Sequence, residues 1–375
     1  MRAASAKAPS PRGRLLLAIG ASALVVVASP FVGEIRAAVE RALPGQYLSI
    51  VLAAVVLPLA VVVGIALLGI RERRALRYGL LAAAVGLAVL YATVMQTTPT
   101  EQFHFTEYGL VSFLFYRAWH SRADVSVLVL PLCAAVITGF ADEWFQWFVP
   151  SRVGEARDVV LNAIGGVCGL MVGVALDPPA GVAWPTNPRA RRVFATGVMA
   201  ALGTAAVFLQ IVHLGYDVND AEAGSFRSRY EPHTLRLIAE DRTARWRVEP
   251  PPSPAPLLSR EDHYLSEARF HVEHRNLAVS AGDMWTAWKE NLILEKFYAP
   301  VLDAGLPDSR WPAEQRSAVA LVAASDSRPY VSEAYPFPVY TWSRGAFWAA
   351  VTVMILATWS LTVVRPRSQI DRVVA

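Results

Sequence analysis

SVLVLPLCAAVITGFADEWFQWF, residues 126–148, decides how this chain is read. Residues 126–140 are mostly apolar; then Asp142 and Glu143 arrive, followed by Gln146 between Trp144 and Trp147. A helix needs about 20 apolar residues to cross a hydrocarbon core of ~30 Å. Ending such a helix on adjacent carboxylates is costly unless they are paired, protonated or facing a polar cavity. Comparable apolar runs recur along the 375 residues, which are 54% hydrophobic and only 18% charged. Spans are expected at about 14–32, 47–70, 75–94, 102–119, 125–148, 158–176, 193–214 and 345–364. The fold class is therefore an all-α polytopic membrane protein with about eight transmembrane helices and a mostly helical extracytoplasmic domain.

The net charge of +4 is spread unevenly. Arg2, Lys7, Arg12 and Arg14, then Arg71, Arg73, Arg74 and Arg77, open an alternation along the chain. Arg117 and Arg122, Arg189, Arg191 and Arg192, then Arg365, Arg367 and Arg372 continue it on every other connection. Under the positive-inside rule this puts both termini in the cytoplasm and residues 215–342 outside a bacterial cytoplasmic (inner) membrane. Arginines that set topology leave no reason to expect a nucleic-acid partner. The first apolar run reads as a retained anchor rather than a cleaved signal peptide, because no clean A-x-A site follows it. Cys133 and Cys168 both fall within spans and read as small packing residues, not as a disulfide or zinc framework.

Residues 1–94 form an N-terminal membrane unit of three spans, 95–177 a second unit of three, and 193–214 a seventh span. The segment 33–46 is amphipathic and expected to lie along the interface. After 215 the chain leaves the membrane, and 345–364 returns it. Residues 234–248 are expected to form a strand pair, and 249–256, EPPPSPAP, a stiff polyproline-like spacer. Residues 261–303 read as a helical hairpin of tetratricopeptide-like length. Gly282 would end its first helix and Asp283 cap its second. A third helix is expected at 312–324.

The second membrane unit concentrates the chemistry. His104, Glu107 and Tyr108 share one helix face at i, i+3 and i+4; Asp142 with Gln146, and Asp158 with Asn162, are i, i+4 pairs. Successive spans run in opposite directions, so all three polar ends meet at one membrane surface, the outer one in this topology. Glu107, Asp142, Glu143 and Asp158 would there face His104, Arg152 and Arg157. Two accounts stand: a ligand or acid/base site, because ionisable clusters inside spans are usually functional, or interhelical hydrogen bonding.

In order, HFTEYGLVSFLFYRAW (104–119) and DEWFQWFVPSRVGEARDVVLNAIGGVCGLMVG (142–173) resemble the VanZ-like membrane family. The matching positions are His104, Phe105, Glu107, Tyr108, Gly109, Asp142, Glu143, Gln146, Pro150, Arg152, Asp158, Asn162 and Gly165, within about residues 95–177. The resemblance implies a cell-envelope role at the outer leaflet, linked to resistance to the glycopeptide antibiotic teicoplanin, and names no reaction.

The residue sets of a PAP2-type lipid phosphatase, an intramembrane serine protease and an aspartyl intramembrane protease are incomplete here, and no nucleophile is identifiable. The preferred reading is non-enzymatic and needs no cofactor: recognition of an outer-leaflet lipid, lipid intermediate or glycopeptide-type amphiphile by His104, Glu107, Tyr108, Asp142, Glu143, Gln146, Arg152, Asp158 and Asn162. Trp144 and Trp147 would set the depth. One alternative is an enzyme modifying a lipid-linked envelope substrate, with His104 and Glu107 or Asp142 as acid and base. Another is a scaffold recruiting a protein partner through residues 215–342. Outside the membrane, His263, Glu267, His271 and His274 fall on one helical stripe. A solvated face is the expectation there, with a metal site as the weaker candidate because no fixed zinc motif is matched.

Overall fold

The computed structural model describes residues 10–95, 97–147, 154, 156–248, 263–303, 309–335 and 339–364. In chain order, α1 (Pro11–Ala28) passes through a short 3-10 turn, Ser29–Phe31, into α2 (Val32–Ala42). Then come α3 (Tyr47–Gly69), α4 (Arg74–Val94), α5 (Pro99–Trp119), α6 (Ser126–Trp147), α7 (Ala156–Leu176) and α8 (Pro188–Phe208). The hairpin β1 (Tyr216–Asp220) and β2 (Gly224–Ser228) precedes α9 (Pro232–Trp246), α10 (His263–Ala281), α11 (Met284–Phe297) and α12 (Ala299–Asp303). The last helices are α13 (Ala313–Ala323) and α14 (Arg344–Trp359). The chain separates into two compact units: residues 1–146, 156–208 and 345 onward form one, and residues 147–155 with 209–344 the other.

Among the described residues, seven helices are long and apolar enough to cross a membrane, and the protein is an all-α polytopic membrane protein. The expected span at 102–119 is helical as α5 but is not one of the seven. Glu101, His104, Glu107 and Arg117 make it too polar. Its neighbours α1, α3 and α7 supply what lipid cannot: Tyr108, Val111, Ser112, Phe115 and Tyr116 are all buried against the bundle. The amphipathic segment after the first span is α2, which buries none of its residues within the unit.

Helices α5 and α7 approach most closely. On α7, Gly165, Gly169 and Gly173 recur every fourth residue and present bare backbone to α5, the small-xxx-small arrangement of tightly packed membrane helices. A Cβ added at Gly169 would stand 1.9 Å from the Gly109 carbonyl oxygen, and one at Gly165 2.9 Å from that of His104. Arg77, from the start of α4, closes the far end of α7 by donating to the carbonyls of Ala175 and Leu176, both at 2.6 Å. A cation at a helix C-terminus also meets the negative end of its dipole.

Residues 234–248 are not strands: 234–246 lie in α9, and Arg247 and Val248 form the turn that follows it. Leu235, Ile238 and Ala239 fall at i, i+3 and i+4 and pack into one core, which a two-residue strand period could not arrange. The strands lie upstream, where Val218 and Phe226 pair across the hairpin and point inward. Asp220 Oδ1 accepts from the amides of Glu222 and Ala223 at 2.9 and 2.7 Å, closing the turn, and Gly224 takes a positive φ of 95°. Alongside β2, the Ser225 amide donates to Tyr330 and the Ser332 amide to Ser225. Helices α10 and α11 pack as a pair around Tyr264, Leu292, Ile293, Phe297 and Tyr298, with Ala268 and Ala287 fully buried. Gly282, φ 79°, breaks α10, and the Asp283 carboxylate caps α11 through the Thr286 amide at 3.1 Å. Helix α13 packs on α11, with Trp311 and Val319 against Ala278 and Ala287.

Candidate functional site

Helix α5 opens with a capping box. Thr98 Oγ1 accepts from the Glu101 amide at 3.3 Å, and the Glu101 carboxylate accepts from the Thr98 amide at 2.5 Å. Glu101 is thereby committed to holding the helix start. One turn on, His104 Nδ1 lies 3.7 Å from Glu107 Oε2, and the His104 ring stacks on Tyr108 with centroids 6.0 Å apart. The Tyr108 hydroxyl donates to Asp142 Oδ2 at 2.7 Å, joining α5 to the last turns of α6. On α6, Gln146 Nε2 donates to Glu143 Oε1 at 3.3 Å. From α7, Asn162 meets Gly139 and Tyr108: a Cβ at Gly139 would lie 3.2 Å from Asn162 Cβ and 3.6 Å from the Tyr108 ring. Ser29, where the first span ends, also stands against the Asp142 carboxylate.

Tyr108, Asp142, Glu143 and Asn162 are all fully buried, whereas the side chains of His104 and Glu107 keep 19% and 27% of their surface. The cluster therefore has a closed floor and a partly open mouth. Asp142 needs a donor in this apolar setting, and Tyr108 supplies one. The Asn162 amide has no hydrogen-bond partner among the described residues for either its nitrogen or its oxygen. Leaving a buried polar group unpaired costs about 1–3 kcal/mol, so the position calls for water or a polar ligand group.

Seven expected residues come together here: His104, Glu107, Tyr108, Asp142, Glu143, Gln146 and Asn162. Asp158 stands in the first turn of α7 beside Tyr91 of α4, near Arg157 and Glu101. Arg157 donates to the Met95 carbonyl at 3.2 Å. Pro150 and Arg152 lie outside the described residues. Trp147, expected at the lipid interface, is buried, with its ring 5.3 Å from that of His263. Sequence reasoning missed Ser29, for which there was no local signal, and the seam of Gly165, Gly169 and Gly173, whose four-residue spacing was legible.

Residues 88–177 match the family model described as VanZ/LLP1. This segment is a VanZ-like domain. It begins within α4, somewhat upstream of the resemblance read from residues 95–177, and contains every described residue of the cluster except Ser29. Comparisons of the chain with curated proteins and with solved structures gave no match.

The histidine stripe on α10 is occupied by its own unit. Glu267 accepts from the Ser228 and Tyr298 hydroxyls, both at 2.7 Å, and from the Arg229 amide at 2.9 Å. His271 Nδ1 is 2.6 Å from Glu290 Oε2, and His274 Nδ1 is 3.7 Å from Glu290 Oε1. Among the described residues no group of three His, Cys, Asp or Glu could hold a metal ion. Cys133 and Cys168 are free, and Cys168 Sγ donates to the Ala84 carbonyl at 3.3 Å.

Proposed function

We propose that the VanZ-like domain recognises an amphiphile of the outer leaflet, a lipid or glycopeptide-type molecule, through its buried carboxylate–tyrosine–asparagine cluster. The observation that carries this reading is the unpaired Asn162 amide beside Tyr108 and Asp142, beneath a mouth formed by His104 and Glu107. Glue between helices would pair such a group; a ligand site keeps it ready. An apolar cavity of about 740 Å³ lies among α3, α4, α5 and α7, walled by Val62, Ile65, Phe105, Leu110 and Val172. Phe105, Gly109 and Phe113 turn one face of α5 to it while His104, Glu107 and Tyr108 lie on the other. An amphiphile using both would straddle the start of α5, its polar and apolar parts about 10 Å apart, the width of a helix.

The arginine alternation supports a cytoplasmic position for both termini and an external one for residues 215–342, in the cytoplasmic membrane of a bacterium. A contribution to teicoplanin-type resistance belongs to the same proposal. The second reading, acid/base modification of a lipid-linked substrate, draws on the 3.7 Å approach of His104 to Glu107.

The test is mass spectrometry of lipids co-purifying with the wild type and with Asp142→Asn and Glu107→Gln, alongside their melting temperatures. One lipid class enriched in the wild type and absent from stably folded variants is the expected result. Variants that merely melt earlier, with no selective lipid in the wild type, would reduce the cluster to interhelical glue. A lipid chemically altered over time by the wild type alone would instead favour the enzyme.

A further inference from the structure

The unit that contains the VanZ-like domain has a second charged end, remote from the cluster. At 1.5 Å per residue, Arg117 at the finish of α5 lies about 20 Å along the helix from His104. Three stretches of chain are knitted together there: 71–77, 117–125 and 177–192. Arg77 donates to the carbonyls of Ala175 and Leu176, and Arg117 pairs with Asp177. The Val125 amide donates to the Ala183 carbonyl at 2.8 Å, and Asp124 and Ala183 form a parallel bridge. Gly181 runs so close that an added Cβ would stand 3.1 Å from the Ala123 carbonyl oxygen.

This rim carries nine arginines against Glu72, Asp124 and Asp177, a surplus of six positive charges, whereas the whole chain has only +4. Two of the acids are already engaged: Asp177 by Arg117, and Asp124 by the Ser126 amide at 2.8 Å. Arg71, Arg73, Arg74, Arg189 and Arg192 are exposed and Arg122 is half-buried. None of these six makes a side-chain hydrogen bond or ion pair among the described residues. Their own helices do not offset the charge. Arg74 opens α4, and Arg189 and Arg192 sit three residues apart at the start of α8. The dipole repels cations there, and neither first turn holds an acid. The counter-charge has to come from outside the chain.

Beside the arginines the rim is apolar. Val182 and Trp184 are 53% and 54% exposed, on either side of the pinned Ala183. The Trp184 ring meets Phe194 of α8 edge to face, with centroids 5.2 Å apart. A tryptophan held at a helix start suits the level where headgroups meet acyl chains.

We propose that this rim binds an anionic phospholipid of the leaflet opposite the cluster. Arg122, Arg189 and Arg192 take its phosphate, while Val182 and Trp184 pack on the upper part of its chains. A soluble polyanion would answer the arginines but leave both apolar side chains in water. The site is separate from the one proposed for the cluster and does not rest on it.

The experiment is native mass spectrometry of the full chain in detergent, titrated with phosphatidylglycerol and with phosphatidylcholine bearing the same chains. The wild type is expected to bind phosphatidylglycerol the more tightly. Arg122→Gln, Arg189→Gln and Arg192→Gln should each weaken it about fivefold, the worth of one basic residue near an anionic headgroup, and leave phosphatidylcholine unchanged. Trp184→Ala should weaken both lipids. Arg41→Gln, exposed on α2 at the cluster end, is the control and should change neither. Melting temperatures identify the folded variants, and if one does not fold the remaining arginine variants decide. Equal binding of the two lipids by the wild type overturns the proposal. So does undiminished phosphatidylglycerol binding in the folded arginine variants, or an equal loss in Arg41→Gln. Full affinity in Trp184→Ala would assign the arginines to a soluble anion and overturn the lipid.

Discussion

Gly169→Ala is the sharpest probe of how the candidate site is held. The added Cβ would lie 1.9 Å from the Gly109 carbonyl oxygen and 2.5 Å from the Gly109 Cα. These are backbone atoms, so no side chain can rotate away. An ordinary contact near 3.4 Å requires the α5–α7 seam to open by about 1.5 Å. Carried across α5, that movement takes the Tyr108–Asp142 hydrogen bond from 2.7 Å to beyond bonding reach. Overpacking of this kind costs about 1–3 kcal/mol. A lost bond that leaves buried polar partners unpaired adds about 1–3 kcal/mol, while alanine's better helix propensity returns up to ~1 kcal/mol. The net loss is about 1–6 kcal/mol, or roughly 3–20 °C in Tm for a unit of this size. Gly86→Ala, in α4 with nothing within 4 Å, is the internal control and should be neutral or up to ~1 kcal/mol stabilising. Thermal unfolding of both variants in the same detergent gives the comparison. A Gly169→Ala protein melting with the wild type would refute the close seam, and with it the account of how Tyr108 is held on Asp142.

Arg77→Ala removes both donors to the last carbonyls of α7 and should cost about 1–3 kcal/mol in thermal unfolding, with Arg77→Lys recovering part of it. Burial alone would raise Glu290, but the His271 ring and the hydroxyls of Ser332 and Tyr330 outweigh it and hold the carboxylate below its ordinary value near 4.5. A lowered acid contributes stability that is present above about pH 4.5 and lost as pH falls through the folded value. Near-ultraviolet circular dichroism of the full chain should therefore show a shallower acid-side loss in Glu290→Gln than in the wild type; parallel curves would contradict this. Arg275 is fully buried, 4.7 Å over the Trp311 ring and 3.0 Å from Asn291 Oδ1, and burial draws its guanidinium down to about 10. Arg275→Lys keeps the charge but loses the planar stack, and should lower stability by about 1–3 kcal/mol in denaturant unfolding.

Much of this molecule could be read from one-dimensional pattern. Runs of about 20 apolar residues admit almost no other structure than a membrane helix, because in lipid the backbone must satisfy itself. The polar ends of α5, α6 and α7 followed from helical spacing and alternating direction, which is why His104, Glu107, Tyr108, Asp142 and Asn162 could be grouped before any coordinates. The break between α10 and α11 was equally local: Gly282 needs its positive φ and Asp283 its cap, whatever surrounds them. Tertiary structure decided the rest. Residues 234–248 carry β-compatible residues, yet the core formed with Leu292, Phe297 and Tyr298 rewards a helical face. Helix α5, expected as a span, is more polar than the seven apolar helices, and its packing against α1, α3 and α7 is what accommodates it in the bundle. The distance between Tyr108 and Asp142, the isolation of the Asn162 amide and the pairing of His271 with Glu290 all join residues far apart in sequence. Sequence determines which groups exist and which face they share, whereas packing alone determines which of them meet and which are left without a partner.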